Sequence, residues 1–82
     1  MDNTEIKRRI KAVLGDMFDQ PPEEFQDTKP FSEMAKYDSM GALEFLAKVE
    51  GEFNVQIDPE QLPNMATVEN AARVVEKLLS GN

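Results

Sequence analysis

Prolines decide what this chain can become. All five fall in two short regions, Pro21-Pro22 with Pro30 and Pro59 with Pro63. Proline removes a backbone donor and clashes with the preceding turn, so no long helix crosses either region. The three stretches outside these regions each space apolar residues by three or four, the mark of one helix face against a core. Ile6, Ile10, Val13, Leu14 and Met17 make the first stripe, predicting a helix over residues 4 to about 17 with Asn3 or Thr4 as its cap. Gly15 weakens its end, and Phe18 closes that layer of the core. Met40, Leu43, Leu46, Val49 and Phe53 make the second stripe over residues 39–53, with Phe45 beside it and widening it. Val68, Ala71, Ala72, Val75, Leu78 and Leu79 make the third, capped by Thr67 and ended by Gly81.

The connections differ in length. Residues 19–37 form a long loop in which Phe25 and Phe31 are the apolar anchors, with single helical turns expected at Pro22–Phe25 or Ser32–Ala35. A loop of that length in a small domain tends to carry function. Val55-Gln56-Ile57 is too short to build a sheet. Asp58-Pro59-Glu60-Gln61 reads as an N-cap, a proline at the first helical position and a Gln that completes a capping box. Pro63 should stop that short helix almost at once. The chain is therefore expected to be all-α: three main helices plus one short helix, a four-helix bundle in a single domain over residues 1–82.

Composition narrows the function. Nine basic and sixteen acidic side chains give a net charge of -7, opposite to the cationic footprint that nucleic acids demand. Cysteine and histidine are both absent from the 82 residues. That removes disulfides, thiolate metal sites and the usual general base. The acidic stretch Asp16 to Asp27 lacks the mid-loop Gly of a calcium loop and carries two prolines, so no metal site is expected. No apolar run is long enough to span a bilayer and no signal-peptide core follows Met1, so a cytoplasmic protein is expected. The first helix is basic through Lys7, Arg8, Arg9 and Lys11, whereas the following loop is acidic, and solvated faces account for most such runs.

Ser39 stands out. It falls at the start of the second helix, where Asp38 and Ser39 could both serve as ordinary caps. As a hydrolytic nucleophile it lacks a base, unless Lys36 or Tyr37 served. The run Asp38-Ser39-Met40-Gly41-Ala42-Leu43-Glu44-Phe45-Leu46 resembles the phosphopantetheine attachment motif of acyl carrier proteins. The likeness extends to Leu14-Gly15, Phe31 with Glu33, Glu50, Glu52 and Phe53, Ile57, and Thr67-Val68, in the same order and spacing.

The resemblance implies a bundle of the acyl-carrier type and a non-catalytic carrier in which Ser39 holds a covalent 4′-phosphopantetheine derived from coenzyme A, with Asp38 beside it. Acyl groups would ride on the arm's thiol as thioesters, which suits a chain with no sulfur nucleophile of its own. It implies as partners a phosphopantetheinyl transferase, an acyl- or aminoacyl-loading ligase or transferase, and synthase enzymes with basic docking patches. Met40, Glu44, Glu50 and Glu52 match the positions that meet those partners, and for Glu52 a merely solvated charge is an equal reading. The chain alone is expected to be monomeric, and Met1 with compact ends suggests that it is freestanding.

Other features bear on the pathway. Met40 stands where the family usually has Leu, a volume-conserving exchange. Lys36 and Tyr37 put a cation and a ring next to the arm, Gly41 and Gly51 replace residues that are often polar, and Lys48 thins the acidic face. These lean toward polyketide or other specialised metabolism over fatty-acid synthesis, while the Asp before the serine leans toward acyl over peptidyl carriers. An aminoacyl or peptidyl carrier, or an unmodified helical interaction module, are the alternative readings. Core expansion around cargo would turn on small residues such as Ala42, Ala47, Ala66 and Ala71.

Overall fold

The computed structural model describes residues 1–34 and 37–81, and its secondary structure there is entirely helical. Three helices, α1 (Asn3–Phe18), α2 (Ser39–Phe53) and α3 (Val68–Leu79), are joined by three 3-10 segments, Pro22–Glu24, Phe31–Glu33 and Pro59–Met65. The last is the expected short helix, which makes the domain a small bundle of four helices. Helix α1 packs against both α2 and α3, and the short helix bridges the latter two. No helix among the described residues is long and apolar enough to cross a membrane.

The caps explain the boundaries. Asp2, not Asn3 or Thr4, caps α1 by accepting a hydrogen bond from the Glu5 N–H at 2.8 Å. Either residue would have served by propensity, but the acid one step earlier also sets a negative charge against the helix dipole. Past Gly15, α1 runs on to Phe18 and closes with Asp19 in the left-handed region. A Cβ on Gly15 would lie 2.7 Å from the Gln20 carbonyl, so the glycine is what lets the chain fold back against the helix. Thr67 caps α3 as expected, accepting from the Asn70 N–H at 3.0 Å. Asp58 caps the short helix through the Glu60 N–H, but Gln61 completes no capping box and instead accepts from the Asn64 side chain. Pro63 does not stop that segment either. Residues after Pro63 continue to Met65 because 3-10 geometry spaces the ring differently from an α-helical turn.

The core corrects the reading of α2. Phe45, expected beside the apolar stripe, is fully buried at its centre, while Met40 is 79% and Leu43 54% exposed. The apolar face turns on Phe45, Leu46, Val49 and Phe53, so the first turn of α2 projects past the edge of the core. Leu78 and Leu79 are likewise exposed at the far end of α3, where the core beneath them runs out. Ile6, Ile10 and Leu14 from α1 and Val68, Ala71, Ala72 and Val75 from α3 fill the centre as the stripes predict.

The described part of the long first loop is fastened by its side chains and its backbone. Phe25 and Phe31 are buried in the core, confirming both as anchors. The Phe31 N–H donates to the Ala66 carbonyl at 2.8 Å and the Glu69 N–H donates to the Asp27 carbonyl at 2.9 Å, tying the loop to the start of α3. The Asp27 carboxylate then receives Lys11 at 2.6 Å and Lys7 at 3.1 Å from α1. Single helical turns do form, at Pro22–Glu24 and Phe31–Glu33, and the expected Ala35 end of the second lies outside the described residues.

The Asp27 clamp has a consequence for acid stability. Its hydrogen bond from Lys11, aided by Lys7, holds the carboxyl below the ordinary aspartate range. A carboxylate whose folded pKa is depressed contributes stability above its unfolded pKa of about 3.9, and loses it as pH falls through the lower folded value. Asp27→Asn is expected to lower the urea midpoint at pH 7 by an amount worth about 1 kcal/mol, the upper range for partly exposed pairs. The difference from the parent should narrow at pH 3. Equal differences at both pH values would show that the charge of Asp27 contributes nothing.

Candidate functional site

The site is built at the first turn of α2. Asp38 is extended and its Oδ1 accepts from the Gly41 N–H at 2.8 Å, while its carbonyl accepts from the Ala42 N–H at 2.9 Å. Ser39 is therefore the first helical residue, exposed, and its hydroxyl is not needed as the cap. The Ser39 and Met40 N–H groups have no carbonyl one turn back within α2, and they point with the positive end of the helix dipole. This combination of a free hydroxyl and an anion-attracting helix start suits a phosphate ester on the serine oxygen.

Around Ser39 lies a mixed surface. Leu43 is one turn beyond Ser39 and Glu44 one turn beyond Met40, and all are exposed, as are Ala47 and Lys48 farther along. The structure thus brings Ser39, Asp38, Met40 and Glu44 together. It does not bring Glu50 and Glu52 to them. Along the helix they sit about 16 Å or more from Ser39 and about 9 Å or more from Glu44, at 1.5 Å per residue. Each already has a partner: Glu50 Oε2 accepts from the Ile57 N–H at 2.7 Å, and Glu52 Oε2 meets Arg9 at 3.5 Å. A cleft of about 600 Å³ lies between the short helix and α3, walled by residues such as Ile57, Asp58, Arg73 and Lys77, with no residue of α2 in its lining.

Sequence reasoning missed two residues here. Leu43 was assigned to the core by its spacing, which cannot tell a buried from an exposed position at the frayed edge of a stripe. Tyr37, expected next to the arm, is half-buried and turned inward, its ring centroid 5.6 Å from Phe31 and 6.4 Å from Phe18. Burial pushes its hydroxyl above the ordinary tyrosine value. Lys36 lies outside the described residues. Of the small residues, Ala71 is fully buried, Ala42 half-buried, and Ala47 and Ala66 exposed.

A small acidic helical bundle that presents a serine at a helix start, unencumbered by capping, is the architecture of a carrier. Residues 8–75 match the family described as "Phosphopantetheine attachment site". The chain is 30% identical over 70 residues to an acyl carrier protein of Thermosynechococcus vestitus, covering 85% of this chain and 86% of that one. It is 31% identical over 67 residues to an acyl carrier protein of Wolinella succinogenes, covering 82% and 88% respectively. A third acyl carrier protein, from Cylindrotheca sp., is 25% identical over 69 residues. This chain belongs to the acyl carrier protein family, and its prosthetic group is a covalently attached 4′-phosphopantetheine.

Proposed function

We propose that Ser39 is the attachment residue and that residues 1–82 act as a single, non-catalytic, cytoplasmic carrier domain. The observation that supports this most is the exposed Ser39 hydroxyl at the first position of α2, with capping supplied by Asp38. The hydroxyl oxygen attacks the pyrophosphate of coenzyme A within a phosphopantetheinyl transferase. A new O–P bond forms on Ser39 as a pyrophosphate P–O bond breaks; adenosine bisphosphate leaves with the electron pair, and the proton passes to the transferase. When bound, the group supplies a terminal thiol on which acyl cargo is held. The chain's own part is to hold Ser39 outward, favour negative charge beside it through the helix dipole, and present a docking surface.

That surface is Met40 and Glu44, with Leu43 between them. Their proximity to Ser39 supports a role in meeting basic patches on loading and synthase enzymes, whereas Glu50 and Glu52 would contribute through the fold as well. Docking of this kind sets encounter rate more than affinity and weakens with salt. Glu44→Lys is expected to slow loading by a partner enzyme several-fold at low ionic strength, with an unchanged melting curve, and the gap should shrink as salt is raised. Loading rates identical to the parent at low salt would remove Glu44 from the docking surface.

The cargo is acyl rather than aminoacyl, a reading supported by the similarity to proteins named acyl carrier proteins and by Asp38 before the serine. Gly41, Gly51 and Lys48 favour polyketide or other specialised metabolism over fatty-acid synthesis. The test is to offer the modified protein to acyl-loading and aminoacyl-loading enzymes and to measure its mass. An acyl increment that is released by hydroxylamine supports the proposal, and an aminoacyl increment alone would reassign the cargo.

A further inference from the structure

The residue just before the α2 cap is packed against the core. Tyr37 immediately precedes the cap, and its N–H donates to the Met34 carbonyl at 3.2 Å. Its ring packs in tilted contact on Phe31 at 5.6 Å and reaches Phe18 of α1 at 6.4 Å. Phe31 also meets Phe45 edge-on at 5.1 Å, and Phe45 is the fully buried centre of α2. One buried ring, Phe31, therefore contacts the segment that carries Ser39 twice: Phe45 from the helix and Tyr37 from the chain entering it.

This second contact matters because the first turn of α2 has little else beneath it. Met40 and Leu43 are exposed and Gly41 and Ala42 only half-buried, so the first fully buried side chain of α2 is Phe45. A helix end secured by its cap alone frays. Ser39 is two residues from Tyr37, within about 7 Å along even a fully extended chain. We propose that Tyr37 is a positioning residue that holds the Asp38-Ser39 turn in the orientation from which the Ser39 hydroxyl reacts. This rests on Ser39 being the attachment residue. The ring acts by packing, not through its hydroxyl, so phenylalanine should replace it.

The test is steady-state phosphopantetheine transfer with coenzyme A, magnesium and a broad-specificity transferase, varying the carrier concentration. Misplacing a reacting group by about 1 Å can cost up to ~100-fold in rate, so a partly frayed turn should cost on the order of 10-fold. Tyr37→Ala and Tyr37→Leu are expected to lower kcat by about that factor with KM changed less than about twofold. Tyr37→Phe is expected to keep the parent kcat. A purely structural role would instead lower the folded fraction, which circular dichroism reads separately; if Tyr37→Ala does not fold, Tyr37→Leu, which keeps much of the buried volume, decides. Full kcat in the folded Leu variant, or a loss in the Phe variant equal to that in Leu, overturns the proposal. A parent protein that gains no group at Ser39 overturns the attachment reading, and this proposal with it, before any Tyr37 variant is compared.

Discussion

Ser39→Ala is expected to abolish gain of phosphopantetheine while leaving the thermal midpoint where it was. Modification needs the hydroxyl oxygen as nucleophile, and alanine has none. Stability does not need it, because Asp38 Oδ1 already satisfies the Gly41 N–H. An exposed substitution away from core and cap changes stability by within about 0.5 kcal/mol. Asp38→Ala should do the converse. Losing a cap costs about 0.5–2 kcal/mol, which lowers the midpoint of a domain this size by several degrees at about 4–8 °C per kcal/mol. Ser39 keeps its hydroxyl and should still gain the group, but more slowly, because the turn that Asp38 caps frays. If Ser39 were only a cap, the stability effects would exchange places. Paired melting curves of the two variants therefore separate the roles of adjacent residues that look interchangeable in sequence.

Phe45→Ala is expected to unfold the protein or bring it to the edge of unfolding. Removing a fully buried phenylalanine costs about 3–5 kcal/mol, and a single core in a chain this short supplies no more than about 3–5 kcal/mol. The lost ring also leaves Phe31 without its edge-on partner at 5.1 Å. Leu43→Ala, two residues earlier on the same helix, should shift a urea midpoint by no more than about 0.5 kcal/mol, because Leu43 is already half in solvent. Comparable losses in the two variants would mean that α2 is rotated from the orientation described here. A loss of loading by partner enzymes in Leu43→Ala, with stability kept, would place that side chain on the docking surface.

The contrast between Phe45 and Leu43 marks where periodicity ceases to be informative. A spacing of three or four fixes that 39–53 is helical, and the helix is found at Ser39–Phe53. It does not fix the centre of the buried arc when apolar residues occupy more than one face. Met40, Leu43 and Phe45 are all apolar, and it is packing against the rest of the core, with Phe31 of the neighbouring loop in edge-on contact, that shows Phe45 to point inward. In α3 spacing picks out the buried set Val68, Ala71, Ala72 and Val75, but it also takes in Leu78 and Leu79, which are exposed at the end of the helix.

The long loop was legible in its anchors and not in its fastenings. Two large aromatics in a polar stretch could only be explained by burial, and both Phe25 and Phe31 are buried. Asp27 looked like one more solvated acid in a run of acids. Lys7 and Lys11, four apart on α1, present two ammonium groups to one point, and an acid from the loop completes it. The pairing crosses the tertiary fold, so no local rule names the partner. Asp38 and Ser39 posed the opposite problem: both types suit a helix cap, and it takes the hydrogen bond to Gly41 to say which one serves.

The family resemblance supplied what residue chemistry could not. Nothing in composition or spacing calls for a pantetheine arm; the absence of cysteine and histidine only removes competing chemistries. The match over residues 8–75 then assigns the family, and in α2 the cap is supplied by Asp38, which leaves the Ser39 hydroxyl out of the capping bond.

The most direct measurement is the intact mass of the parent protein and of Ser39→Ala, side by side, after incubation with coenzyme A, magnesium and a broad-specificity phosphopantetheinyl transferase. The account predicts one added phosphopantetheine on the parent and none on the variant. An increment on both, or on neither with the parent folded and unmodified at the start, would contradict it.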